Sequence, residues 1–210
     1  MFDWDGTLFD SAAVITDCIQ QAALDMALPV PDRETASHVI GLGLSDSLRL
    51  AMPALSPDRY PDFLARYRGY FVERDDSLSL FPGIAELLAD LKARGHRLAV
   101  ATGKPRHGLE RALETSGLGP LFVASRCGDE TQPKPDPAML LELMDELELG
   151  AGELLMVGDT SHDIEMARSA AVDAVAVTYG AHPGAALRAL RPRACVGSVG
   201  ELKQWLATNA

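Results

Sequence analysis

The chain has 210 residues and a mass of 22.5 kDa, which suffices for a full hydrophobic core and a sizeable insertion. Hydrophobic residues make up 47% and charged residues 23%, as in ordinary soluble globular proteins. The net charge of −11 excludes nucleic acid and anionic membranes as expected partners, because both would be repelled. The three scattered cysteines form no C-x-x-C pair, which argues against a zinc site or a disulfide framework and favours a reducing cytoplasm.

The first segment of the chain is Phe2-Asp3-Trp4-Asp5-Gly6-Thr7. Its apolar start, two carboxylates and glycine turn are typical of a strand that delivers acids into a loop. In extended chain Asp3 and Asp5 point to the same side, where they repel each other unless a cation lies between them or one takes up a proton. Because central strands usually have about five residues, we expect either a stunted strand or a natural chain that begins further upstream.

A helical block follows, with apolar residues at helical spacing and no strand pattern from Ser11 to Ser79. Ser11 and Asp32 are candidate N-caps, and prolines after the first helix stop it. The predicted helices cover residues 11–27, 32–39, 45–52 and 58–74.

From Phe81 onward, helices alternate with short apolar strands. This alternation predicts an α/β fold with a doubly wound parallel sheet that is covered on both faces. We expect a core of residues 1–10 and 80–210 and an all-helical cap of residues 11–79. The predicted strands cover residues 97–101, 121–124, 154–157, 174–177 and 194–196.

Polar residues stand directly after three predicted strands, where parallel sheets hold their sites. They are Asp3, Thr102 and Asp159. Carboxylates from two distant loops suit a hard divalent cation, and Mg²⁺ takes few carboxylates and keeps water and substrate phosphate as its other ligands. We therefore expect Asp3 and Asp159 to bind Mg²⁺. The Thr102 hydroxyl, the Gly103 amide and the Lys134 ammonium offer donors and charge for phosphate oxygens.

Together these segments resemble the four motifs of the haloacid dehalogenase superfamily, over nearly the whole chain. The helical insertion after the first motif resembles its phosphoglycolate-phosphatase-like subgroup, which implies a Rossmann-like core with a helical cap. The matching segments are Asp3-Trp4-Asp5-Gly6-Thr7, Thr102, Lys134 before Pro135, and Gly158-Asp159-Thr160 with Asp163.

The resemblance also implies a reaction. Asp3 would attack phosphorus to form an aspartyl-phosphate, and Asp5 would protonate the leaving alcohol and then take a proton from water. Asp3, Asp159 and the backbone carbonyl of Asp5 would bind the metal, Lys134 would neutralise phosphate oxygens, and Asp163 would orient Lys134 or a metal-bound water. An acid at Asp5 places the chain with the phosphoesterases, because the dehalogenase branch lacks it.

Other residues have weaker assignments. The Gly41-Leu42-Gly43 turn resembles the substrate-facing loop of the lid, and Arg49 is a candidate for contact with a substrate anion. Lys104 is either a solvated side chain or part of the phosphate site. Asp10 and Ser11 are expected as helix-start caps, and ordinary structural roles are expected for the histidines His107, His162 and His182.

The sequence thus predicts a cytoplasmic, Mg²⁺-dependent phosphatase of a small phosphorylated metabolite, working as a monomer or homodimer. A phosphosugar mutase similar to β-phosphoglucomutase shares all four motifs and stays an alternative. A catalytically idle binding or regulatory module is a second alternative. A phosphonatase would need a lysine in its lid, and residues 11–79 contain none.

Overall fold

The computed structural model describes residues 1–74 and 78–210. Its strands are β1 (Leu98–Thr102), β2 (Phe122–Cys127), β3 (Leu155–Gly158), β4 (Asp173–Val177) and β5 (Ala194–Val196). All strand pairs are parallel, with β1 next to β2 and β4 between β3 and β5. The α/β prediction is confirmed.

The segment before Asp3 joins these two groups of strands. Phe2 bridges Val100 of β1 on one side and Val157 of β3 on the other, in parallel orientation. The Phe2 amide donates to the Ala99 carbonyl at 2.9 Å, and the Asp3 amide donates to the Val157 carbonyl at 2.9 Å. The order across the sheet is therefore β2, β1, Phe2, β3, β4, β5, and Asp3 leaves the sheet at its centre.

Side chains alternate between the two faces of the sheet along each strand, so both faces are apolar. Helices cover both of them. In β1, Leu98 and Val100 pack in one apolar cluster, whereas Ala99 and Ala101 pack in another. Buried leucines of the helices Ile84–Ala93 and Val199–Asn209 belong to the first cluster, and those of the helix Ala138–Glu146 belong to the second. The core helices are α5 (Ile84–Ala93), α6 (Arg106–Ser116), α7 (Ala138–Glu146), α8 (Ser161–Ser169), α9 (Gly184–Ala189) and α10 (Val199–Asn209).

The inserted helices have an apolar cluster of their own, which includes Ile19, Leu48 and Phe63. They are α1 (Ala12–Asp25), α2 (Arg33–His38), α3 (Leu44–Ala51) and α4 (Tyr60–Arg74). We call these four helices and their connections the cap. The separate cluster accords with the predicted division into core and cap, which stays a prediction; residues 75–77 of the expected cap lie outside the described residues. None of the helices in the described part of the chain combines the length and apolar character that a membrane span needs.

One predicted N-cap is confirmed and one is wrong. The Asp32 carboxylate accepts a hydrogen bond from the Thr35 amide at 2.7 Å and so caps α2. Ser11 makes no such bond, because its backbone already has helical angles (φ −115°, ψ −12°) where an N-cap residue is normally extended. Its hydroxyl lies instead in the candidate active site.

Candidate active site

The centre of the site is a buried lysine between two buried carboxylates. The Lys134 Nζ lies 2.8 Å from Asp3 Oδ1 and 2.7 Å from Asp163 Oδ1, and the lysine side chain is 0% exposed. Burial alone would lower the pKa of Lys134, but the charges of Asp163 and Asp3 outweigh it and raise that pKa. Lys134 therefore stays an ammonium and holds the two loops together.

Asp163 has a second set of bonds that fixes its direction. Its Oδ2 accepts from the Thr160 amide at 3.0 Å and from the Thr160 hydroxyl at 2.7 Å, at the start of α8. The capping bonds leave Oδ1 of the same carboxylate for Lys134. Asp163 is thus both a helix-start residue and the partner of the lysine.

A third carboxylate, Asp159, completes an acidic cluster. Its Oδ1 accepts from the Thr7 hydroxyl and its Oδ2 from the Ala181 amide, both at 2.7 Å. Burial raises the pKa of Asp3 to about 7, although Lys134 acts to lower it, and burial together with Asp3 and Asp163 raises the pKa of Asp159 well above its usual range. Positive charge beside these carboxylates would restore their ionised forms.

The cluster fits a divalent cation. Oxygen atoms of Asp3, Asp159 and Asp163 lie within 4.8 Å of one another, and all three residues are buried. Oδ2 of Asp3 has no hydrogen-bond partner among the described residues, and a buried oxygen of this kind is costly unless something binds it. Buried carboxylate oxygens are the ligands that Mg²⁺ takes in proteins.

Two glycines allow the backbone to approach Asp159 closely. A Cβ on Gly6 would lie 2.2 Å from Asp159 Oδ2, and a Cβ on Gly180 would lie 2.3 Å from the same atom. Gly6 also has a φ of +81°, which side chains rarely tolerate. The glycine of the first segment is therefore required both by its turn and by the packing of the acidic cluster.

Asp5 belongs to a neighbouring polar group that also contains Ser11, expected as a helix cap, and Lys104, for which a solvated side chain was one expectation. The Ser11 hydroxyl donates to Asp5 Oδ1 at 2.7 Å, and Lys104 Nζ lies 2.9 Å from Asp5 Oδ2. The Lys104 ammonium also lies 5.0 Å from the centre of the Phe71 ring of the cap. Lys104 is therefore a partner of Asp5 that also contacts the cap, and the sequence signal for this was its place directly after Thr102 and Gly103.

The loop of residues 41–43 lies against the loops that carry Asp3, Gly103 and Pro133. A Cβ on Gly41 would lie 3.9 Å from Asp3 Oδ2, and a Cβ on Gly103 would lie 2.4 Å from the Gly41 carbonyl oxygen. A Cβ on Gly43 would lie 2.6 Å from Pro133 Cβ. Leu42 is buried between these two glycines.

Histidines form a second contact between cap and core. The His38 carbonyl accepts from Nε2 of His162 at 2.8 Å and from Nε2 of His182 at 3.1 Å. His182 Nδ1 accepts from the Ser161 amide at 3.0 Å, which leaves its proton on Nε2. Burial lowers the pKa of His182 to about 4 and also lowers that of His162, so both rings are neutral near pH 7. No sequence pattern linked His38 to the other two.

Comparison with known proteins identifies the family. Residues 1–177 match the family model described as haloacid dehalogenase-like hydrolase. The chain belongs to this family. It is 36% identical over 208 residues to the probable phosphatase IndB of Dickeya dadantii, covering 96% of this chain and 90% of that protein. It is 31% identical over 218 residues to phosphoglycolate phosphatase from Vibrio parahaemolyticus, covering 100% of this chain and 96% of that enzyme.

Solved structures agree with this assignment. The crystal structure of a predicted phosphoglycolate phosphatase from Haemophilus somnus superposes with a TM-score of 0.84 at 28% identity, covering 98% of this chain and 96% of that one. The resemblance to the haloacid dehalogenase superfamily and to its phosphoglycolate-phosphatase-like members is thus confirmed.

In this hydrolase the predicted site residues fall into three groups. Arg49 is not brought to the site, since it lies exposed on α3 and its guanidinium pairs with Asp46 at 3.0 Å. Thr102 and Gly103 lie beside Asp5, lining the same cavity, and the Thr102 hydroxyl accepts from the Lys104 amide at 3.2 Å. The acidic cluster and its lysine come together as a group: Asp3, Lys134, Asp159 and Asp163.

Proposed function

We propose that this hydrolase is a Mg²⁺-dependent phosphatase of a small phosphomonoester and that it works through an aspartyl-phosphate on Asp3. The observation that carries the proposal is the contact of Lys134 with Asp3 at 2.8 Å inside a buried cluster that also contains Asp159. Such a cluster pairs an anionic nucleophile with a cation that can bind phosphate oxygens and neutralise their charge. Asp163 would hold that cation in place.

In the first half of the reaction, an Asp3 carboxylate oxygen attacks phosphorus in line, and the bond from phosphorus to the alcohol oxygen breaks. Asp5 gives its proton to that leaving oxygen. The Thr102 hydroxyl, the Gly103 amide and Lys134 bind the other phosphoryl oxygens. When held by Asp3, Asp159 and the Asp5 carbonyl, Mg²⁺ supplies positive charge that offsets the charge on these oxygens.

In the second half, Asp5 takes a proton from a water molecule, which attacks phosphorus and breaks its bond to Asp3. Free phosphate leaves and Asp3 is restored. Ser11 and Lys104 contact both oxygens of Asp5 and would orient it during these two proton transfers. The cap loop of residues 41–43 would limit the access of bulk water.

We also propose where the enzyme works and with which partners. Cys18, Cys127 and Cys195 are free thiols, which accords with a reducing cytoplasm. The substrate would be a small phosphorylated metabolite, with neither nucleic acid nor membrane as a partner, and the enzyme would act as a monomer or homodimer. Phosphoglycolate, the substrate in the name of the Vibrio relative, is one candidate.

The decisive experiment replaces the nucleophile and keeps its size. Asp3→Asn is expected to reduce phosphate release from 4-nitrophenyl phosphate with Mg²⁺ by about 10³-fold or more, because an amide cannot form the phosphoryl ester. Asp10→Asn is the matched control, since Asp10 is exposed on the same segment. Full activity in Asp3→Asn would remove the nucleophile assignment.

Two further measurements separate the alternatives. Quenching Asp5→Asn with acid during turnover should leave one phosphoryl group on the protein, found by mass spectrometry on Asp3. A phosphatase would release phosphate without any sugar bisphosphate, whereas a mutase would hand the phosphoryl group to a sugar phosphate instead of to water. An idle module would release no phosphate from any phosphomonoester.

A further inference from the structure

A cavity of about 260 Å³ lies between the cap and the loop that follows β1. Asp5, Thr102, Gly103 and Lys104 line it on the core side. None of the three residues Asp3, Lys134 and Asp159 is among the described residues that line it. The cavity therefore begins at the acid that protonates the leaving group and extends away from the nucleophile, which is where the organic part of a substrate belongs.

The cap walls of this cavity are apolar. They come from helices α1, α3 and α4 and from the chain between α2 and α3, and include Ile15, Ile19, Ile40, Leu48, Phe63 and Phe71. Two further lining residues, Leu44 and Val72, are 40% and 51% exposed. Large apolar side chains in such positions favour an apolar ligand, since contact with it removes their surface from water.

The charges of the cavity do not favour a second anionic group inside it. The Lys104 ammonium is already paired with Asp5. The other basic lining residues in the described part of the chain, Arg68, His107 and Arg111, are all exposed to solvent. A carboxylate placed against the walls of α1 and α3 would lose its hydration without gaining a buried cation.

The volume is also large for a two-carbon acid. An apolar cavity of about 150 Å³ is enough for benzene, so the cavity here has room for a bicyclic ring or an alkyl chain of several carbons. We propose that the preferred substrates are phosphomonoesters of apolar alcohols or phenols, with the alkyl or aryl group held in this cavity. The inference rests on the proposed phosphatase function and narrows it to a substrate class that differs from phosphoglycolate.

A series of alkyl phosphates tests this proposal, because ethyl, butyl and hexyl phosphate differ in apolar surface but hardly in leaving-group chemistry. We expect kcat/KM to rise about fourfold for each added methylene until the cavity is full, and phosphoglycolate to be a poorer substrate than butyl phosphate. A flat series, or a preference for phosphoglycolate through the Lys104 ammonium, would overturn the proposal.

Substitutions at the cavity rim localise the effect. Leu44→Gln and Val72→Gln should each lower kcat/KM for hexyl phosphate at least threefold and lower that for ethyl phosphate by a smaller factor, because the longer alkyl chain contacts more of the cavity wall. Leu50→Gln is the matched control, since Leu50 is 44% exposed on the same helix as Leu44 and lies outside the cavity. Equal losses in all three variants would contradict the assignment of this cavity.

Binding separates this inference from the proposed function. If no phosphomonoester releases phosphate, the phosphatase proposal fails, but calorimetric titration with ethylphosphonate and hexylphosphonate in the presence of Mg²⁺ still tests the cavity. Binding of hexylphosphonate at least tenfold tighter than that of ethylphosphonate would support the apolar site. Equal affinity, or binding of neither, would overturn it.

Discussion

At the core end of the active site, Lys134 lies between Asp3 and Asp163, and all three side chains are buried. At the cap end, the cavity walls are aliphatic and aromatic side chains, and much of the rim is exposed. Buried charges persist only when each has its partner, whereas apolar walls interact with a ligand mainly through the area they cover. The stability of the core end therefore depends on individual charged atoms, whereas ligand binding at the cap end depends on the total apolar surface that is covered.

This difference divides the work of the enzyme. In the proposed reaction, the core end would supply the nucleophile, the acid and the charge, which are the same for every phosphomonoester. The cap end contacts the part of the substrate that differs from one ester to another. Substitutions at the core should change stability and turnover of every substrate, whereas substitutions at the cap should change the ratio between substrates.

The largest effect is expected from Lys134→Met. This change leaves Asp3 and Asp163 as neighbouring buried carboxylates without their cation, which should lower the free energy of unfolding by about 3–5 kcal/mol and abolish phosphate release. Urea unfolding followed by circular dichroism measures the stability. Lys203→Met, at an exposed position of α10, should be nearly neutral. A stability loss below about 1 kcal/mol in Lys134→Met, as for an exposed pair, would show that the core end is not a closed charge network.

Gly103→Ala tests the contact between the two ends. Its Cβ would lie 2.4 Å from the Gly41 carbonyl oxygen, so the cap loop has to shift away from the phosphate loop. Overpacking of this size costs about 1–3 kcal/mol. When this cost is added to the activation free energy, we expect a loss of about 10- to 100-fold in kcat/KM for every substrate, because each increase of about 1.4 kcal/mol slows a reaction tenfold.

The control for that substitution is Gly69→Ala in α4, where a new Cβ has no heavy atom within 4 Å outside the adjoining residues and backbone of its own helix. A helical alanine in open space should raise the stability by about 0.5–1 kcal/mol and leave kcat/KM unchanged. Unchanged activity in Gly103→Ala would mean that the cap loop does not need its observed position for turnover.

How well the sequence predicts a feature depends on how far apart in the chain the interacting residues lie. Helix and strand periodicity depends on neighbours in the chain, so β5 was predicted at residues 194–196 and is observed at Ala194–Val196. The short helix α9 (Gly184–Ala189) was not predicted, because a segment of this length shows the helical spacing of apolar residues only weakly. The strand pattern placed Asp3 and Asp159 together because parallel strands end at one edge of a sheet, whereas the expected place of Lys134 came from the resemblance to the family motifs.

The remaining features depend on contacts between distant residues that no local pattern records. Serine is a common N-cap residue, yet the Ser11 hydroxyl donates to Asp5, because the backbone of Ser11 already has helical angles. The partnership of Lys104 with Asp5 joins residues 99 positions apart. The apolar cavity is formed by three helices of the cap, and its lining emerges only when they pack against the loop after β1.

The smallest effect is expected from Arg49→Ala, which tests the boundary of the cap end. The sequence placed Arg49 near a substrate anion, but its guanidinium lies exposed on α3, 3.0 Å from Asp46. Exposed pairs of this kind contribute about 0–1 kcal/mol to stability, so unfolding and kcat/KM should change little for both ethyl phosphate and phosphoglycolate. A selective loss of phosphoglycolate turnover would show that α3 rotates on substrate binding and carries Arg49 into the cavity. In that case the cap would recognise charge as well as apolar surface, and the contrast between the two ends of the site would not hold in the substrate complex.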